Sequence, residues 1–133
     1  MPNHFHGIIF LEVICPKNIN QIIANGKRFI AYAIIKGLER QQNEILLQEL
    51  FQSTSTREKN KGQKHKVFKD SFDAKEILST KMLITKLDYM HRNPCEGRWN
   101  LVDNFTKYEY SSAAYYELEK DTKWITDYRK IYS

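Results

Sequence analysis

Two histidines with one residue between them, His4 and His6, stand at the start of this chain and run into the apolar stretch Ile8, Ile9, Phe10 and Leu11. On a strand, alternate side chains share a face. The spacing therefore predicts that both imidazoles point the same way, with Cα atoms about 6.6 Å apart, while Phe5 turns toward a core. Such a pair can face one divalent metal. A later segment, Lys86-Leu87-Asp88-Tyr89-Met90-His91-Arg92-Asn93-Pro94, reads as the end of a helix. Tyr89 and Asn93 are four residues apart, so they lie on one helical face about a turn from each other. A phenol and a carboxamide brought against the two histidines would make a metal site with a nucleophile beside it. His-x-His alone is a weak signal, because most such pairs are structural or incidental.

The chain resembles the HUH tyrosine transposases, in particular their REP-associated group. The family's strand motif is similar to Met1-Pro2-Asn3-His4-Phe5-His6, and its catalytic-helix motif is similar to Leu87-Asp88-Tyr89-Met90-His91-Arg92-Asn93-Pro94. Tyr110-Ser111-Ser112-Ala113 follows at the family's usual distance. The resemblance covers residues 1 to about 116. It implies an α+β fold, an antiparallel ferredoxin-like sheet with helices packed on it. Family members carry strands ahead of the histidine motif, so the resemblance also implies that the sheet is incomplete in this chain.

The activity implied is cleavage and joining of single-stranded or hairpin DNA by a homodimer. Tyr89 would be the nucleophile, forming a 5′-phosphotyrosine and freeing a 3′-hydroxyl. His4 and His6, with Asn93 carried over from the family pattern as third ligand, would hold Mg²⁺ or Mn²⁺. Lys69, Lys86 and Arg92 lie near these motifs in sequence and are candidates for phosphate contact. The rival readings are a relative that binds a DNA hairpin but no longer cuts, a remnant that folds only by pairing its first strand with another chain, and a metal nuclease that activates water instead of tyrosine.

Composition agrees with a single domain over residues 1–133. Hydrophobic residues make up 41% of the chain and charged residues 28%, with a formal net charge of +5. That balance is ordinary for a globular protein and favours an anionic partner. Two cysteines, Cys15 and Cys95, imply no disulfide framework. With no apolar run near 20 residues and no signal peptide, a cytoplasmic protein without a membrane segment is expected.

The positioning elements follow from periodicity. Residues 4–14 read as a strand closed by Cys15-Pro16. Asn18 or Asn20 can cap a helix through Leu38, interrupted at Asn25-Gly26 because glycine costs about 1 kcal/mol in a helix interior. A second helix is expected over 43–52, then a basic mobile loop over 53–66. Residues 67–72 read as a short strand. Asp73 and Glu76 form a capping signal for the helix that carries Ile77, Leu78, Leu83, Ile84, Leu87 and Met90 on its buried side, ended by Pro94. Ser111 or Ser112 can cap a short helix through Tyr116, and the tail with Trp124, Tyr128 and Tyr132 can add another. His91 lies about 160° around the helix from Tyr89, as a surface or packing residue. Trp99 and Phe105 are candidates for base stacking, with core packing the stronger expectation.

Overall fold

The computed structural model describes residues 3–69 and 73–131. Among the described residues all regular structure is helical: α1 (Ile19–Arg40), α2 (Glu44–Gln52), α3 (Thr56–Asn60), α4 (Thr80–Arg92), α5 (Ala113–Leu118) and α6 (Tyr128–Ile131), with short 3-10 turns at Asn93–Cys95 and Phe105–Lys107. The expected α+β fold with a ferredoxin-like sheet is therefore corrected to an α-helical one. The physical reason is that alternation only prepares a segment for a sheet; without a neighbouring strand to accept and donate along its edge, no ladder forms. Residues 4–12 are irregular, and a turn at 13–14 is closed by the Cys15 N–H donating to the Glu12 carbonyl (2.9 Å). Of the strand expected over 67–72, residues 67–69 are irregular and 70–72 lie outside the described residues, as do Met1, Pro2 and Tyr132.

The chain divides into two compact units, Met1–Ile9 with Lys75–Ser133, and Phe10–Ala74. In the second unit α1 starts at a reciprocal cap. The Asn18 side chain accepts from the Gln21 N–H (3.0 Å), and the Asn18 N–H donates back to the Gln21 side chain (3.1 Å). The helix runs unbroken through Gly26 for 22 residues. It ends when Gln42 takes a left-handed φ of 53°, while the Gln42 and Asn43 N–H groups donate to Glu39 and Leu38. The Asn43 side chain then accepts from the Leu46 N–H, so one residue both ends α1 and caps α2. The two helices pack together through Leu38 and Leu47. Several residues of the predicted apolar face, Phe29, Ile30 and Ile34, remain exposed.

The segment expected as a loop over 53–66 contains α3. Ser55 and Glu58 cap it reciprocally. The Lys66 ammonium donates to Glu58 (2.8 Å), and this bond with those from Ser55 holds the Glu58 carboxyl down to about 2. Thr54, buried, donates toward the carbonyls of Leu50 and Lys64, and the Lys66 N–H donates to the Leu50 carbonyl. These bonds return the chain to the end of α2.

In the first unit the helix bearing Tyr89 begins at Ser79, whose hydroxyl accepts from the Met82 N–H (3.2 Å). The Asp73 capping signal is not used; residues 73–78 are irregular and Leu78 is exposed. Leu83, Leu87 and His91 then form a stripe at four-residue spacing, with Leu83 and His91 buried. Pro94 does not push Asn93 out of the helical region. Asn93 keeps φ −49° and ψ −38°, and the chain tightens into the 3-10 turn, where a missing proline N–H costs nothing. Ala113, fully buried, seats the first turn of α5. The buried Asp127 carboxylate accepts from Arg129 and from the Tyr115 hydroxyl, and the guanidinium keeps its pKa at about 2.

A Cβ at Gly26 meets nothing within 4 Å, and its φ is not in the left-handed region. Gly26→Ala should therefore stabilise the α1 unit by about 0.5–1 kcal/mol. Urea unfolding followed by circular dichroism checks this through a raised midpoint; a lowered one would mean that the helix is broken at residue 26.

Candidate functional site

The residues singled out at the start of the chain and on α4 belong to the same compact unit. The His4 and His6 rings lie 4.9 Å apart, centroid to centroid, at 85°. The His6 ring lies 5.8 Å from the ring of Tyr89, at 80°. An irregular segment thus brings together what a strand was expected to align. Phe5 does not enter a core. It is 75% exposed, and its ring folds back over Gly7, where a Cβ would come within 2.9 Å of it. A side chain at position 7 would displace that exposed ring.

Nδ1 of His4 donates to the Asn3 side-chain oxygen (2.7 Å). An amide oxygen can only accept, so in the neutral ring this bond places the proton on Nδ1 and the lone pair on Nε2. Burial pushes the His6 pKa down, and the neighbouring His4 adds to that effect. The His6 ring is thus disposed toward the neutral form, the form that ligates metals. Two imidazoles on adjacent positions of one divalent ion hold their centroids about 4.5–5.2 Å apart, given metal–nitrogen bonds of about 2.1 Å. The observed separation lies in that range, and is equally that of an ordinary edge-to-face ring contact. Among the described residues no three His, Cys, Asp or Glu side chains gather as a metal group. The remaining positions on an ion would fall to amide, water or phosphate oxygen.

Tyr89 is 55% exposed, as a nucleophile must be to reach a substrate. Asn93 sits one helical turn further on, half-buried, with its backbone N–H donating to the Tyr89 carbonyl, so the two share a face as their spacing predicted. Lys86 is half-buried three residues before Tyr89, on the same side of α4. The Arg92 guanidinium donates to Asp88 (2.8 Å) and lies 5.8 Å from the Phe105 ring centroid. An exposed pair of this kind is weak and can exchange for a phosphate. Lys69 belongs to the other unit, where its carbonyl accepts from the Lys27 ammonium (3.0 Å).

Trp99 and Phe105 are half-buried, and each has an arginine over its ring, Arg98 at 4.7 Å and Arg92 at 5.8 Å. The residue whose importance sequence reasoning missed is His91. It is 6% exposed, and its Nε2 lies 2.8 Å from the Ser112 hydroxyl. The bond joins the helix of Tyr89 to the start of α5. The signal was present: His91 continues the four-residue spacing of Leu83 and Leu87. A cavity of about 520 Å³ opens beside it, lined by His4, His6, His91, Tyr108, Tyr110 and Ser112 among others.

Burial pushes the His91 pKa below its ordinary 6.5, against the opposing pull of Glu117 and Asp88. The neutral ring is then the native form. Its contribution to stability is full above pH 6.5 and is lost as pH falls through the lowered folded value. Urea midpoints at pH 7.5 and pH 5.0 should fall further apart for the native chain than for His91→Gln, which keeps a hydrogen-bonding side chain that does not titrate. Equal separations would mean that His91 is protonated without penalty in the fold.

Comparisons with models of known protein families, with curated proteins and with solved structures give no match for this chain.

Proposed function

We propose that this protein is a single-stranded DNA strand transferase, a tyrosine transposase or endonuclease, with Tyr89 as nucleophile. The observation that carries the reading is the meeting of Tyr89 with His6, and of His6 with His4, from opposite ends of one unit. An accessible phenol beside two imidazoles supports attack on a phosphodiester. The Tyr89 oxygen would form a bond to phosphorus while the bond to the 3′-oxygen breaks. The 3′-hydroxyl leaves with a proton, and a 5′-phosphotyrosine remains. The bond energy is retained, so a 3′-hydroxyl can reverse the step and join new ends without ATP.

His4 and His6, with the Asn93 amide, would hold Mg²⁺ or Mn²⁺, and the ion would supply charge withdrawal from a non-bridging phosphate oxygen. Imidazole favours Mn²⁺ over Mg²⁺. Lys86 and Arg92 on α4, and Lys69, are the proposed phosphate contacts. The net charge of +5 supports an anionic partner. On this reading the partners are single-stranded or hairpin DNA and a second copy of the chain, in the cytoplasm. No helix among the described residues is long and apolar enough to cross a membrane.

One observation favours a second reading, a hairpin-binding relative that no longer cuts. Among the described residues the histidine segment has no strand beside it, so the clamp lacks the rigid support that a catalytic geometry demands. Incubation with hairpin-bearing oligonucleotides in Mn²⁺, followed by denaturing electrophoresis, separates the two. Covalent protein–DNA adducts are expected from the native chain. Tyr89→Phe should remove them while DNA affinity stays within about twofold. Adducts surviving in Tyr89→Phe would reassign the nucleophile, and binding without adducts in the native chain would establish the second reading.

The double variant His4→Ala, His6→Ala should lose the metal-dependent part of cleavage, by about 10²-fold or more. Cleavage that still responds to Mn²⁺ in this variant would remove the histidine pair from the site.

A further inference from the structure

The cavity beside the histidine pair shares Tyr110, Ser111 and Ser112 with a second depression that extends to Trp124. Tyr110 therefore stands on the ridge between them. Three aromatic side chains along this path are strongly exposed: Phe5 at 75%, Tyr110 at 81% and Trp124 at 92%. Exposing such rings to water forfeits the gain of burying them. Here they lie on one unit, in adjoining concavities, beginning at the rings of His4 and His6. Tyr110 is held edge-to-face by Tyr108, with centroids 5.9 Å apart, a contact that orients its ring while most of the side chain stays exposed. No arginine or lysine is placed over Tyr110 or Trp124 among the described residues, in contrast to Trp99 and Phe105.

We infer that this surface is a base-stacking track for single-stranded nucleic acid, leading away from the histidine–tyrosine site across Tyr110 to Trp124. The inference rests on the strand-transfer reading for the nature of its occupant. Unpaired bases present flat apolar faces that match exposed aromatic rings, and every base has such a face. A duplex hides those faces. The second depression is lined by Glu109 and Asp121 as well as Lys120, so its charge offers little attraction for a phosphate backbone. Affinity along the track comes from stacking, and sequence preference is weak.

The test uses the full chain carrying Trp99→Phe, which leaves Trp124 as the single tryptophan of the two in the sequence. The probe is a ten-nucleotide oligothymidylate without added metal. Saturation should quench Trp124 fluorescence, and a duplex of the same length should quench it far less. In fluorescence-anisotropy titrations, Trp124→Ala and Tyr110→Ala should each weaken binding by about five- to a hundredfold, and Trp124→Phe should retain most of the affinity. Ile45→Ala, an exposed apolar change in the other unit, should have no effect. Both aromatic sites are exposed, and unchanged circular dichroism spectra would verify that the variants fold. Unquenched Trp124 fluorescence, unaltered affinity in both alanine variants, or no binding of the oligonucleotide overturns the track. Adduct assays on the same variants, run separately with a hairpin-bearing oligonucleotide in Mn²⁺, separate the two ideas. Stacking without adducts sinks strand transfer and leaves the track; adducts with unaltered affinity sink the track alone.

Discussion

The 2.8 Å hydrogen bond between His91 and Ser112 is the constraint on which the candidate site depends. It joins α4, the helix that presents Tyr89, to the turn that presents Tyr110 and begins α5. His91 is buried and Ser112 half-buried, so the imidazole is the group that would be costly if left alone. Ala113 packs beside the bond with no exposure at all, and the Tyr116 ring lies 6.0 Å from the imidazole. Losing the bond would weaken the tie between α4 and the start of α5. The Ser112 hydroxyl can donate or accept, so the bond survives either state of the ring, and burial is what favours the neutral form.

The histidine pair is held differently. His4 and His6 sit on an irregular, exposed segment, and their mutual geometry comes from ring contacts and from the amide of Asn3. Ring contacts of this kind are worth about 0.5–1.5 kcal/mol. The pair is therefore soft where Tyr89 is firm. An ion bound between the imidazoles would add the stiffness that the backbone does not provide, because metal–nitrogen bonds fix both distance and angle. Metal binding and site assembly would then be the same event.

On the strand-transfer reading, charge and aromatic surface would divide the work of holding a polyanion. The lysines and arginines on α4 can meet phosphates near Tyr89, while the depression around Trp124 has acids that cancel its lysine. A strand crossing this surface would be gripped by charge near the reactive phosphate and by stacking farther away. That arrangement suits a substrate whose bases are unpaired on one side of the scissile bond.

Much of the helical structure was legible in the sequence. Asn18, one of two candidate caps, starts α1; the apolar run over 43–52 located α2, apolar spacing located the body of α4 though not its start, and Ser111 or Ser112 marked the start of α5, because capping and amphipathicity are local properties of a few consecutive residues. The four-residue interval of Tyr89 and Asn93 fixed their shared face for the same reason. The sheet was not legible. Residues 4–12 have the alternation of a strand, yet strand structure needs a partner that no local pattern can supply. Gly26 looked like a break, but the cap at Asn18 and 22 residues of continuous hydrogen bonding outweigh one glycine. The meeting of His6 with Tyr89, the burial of His91 and the exposure of Tyr110 and Trp124 were decided by tertiary structure alone. Each depends on groups dozens of residues apart, and only the folded chain sets which of them meet and which remain in water.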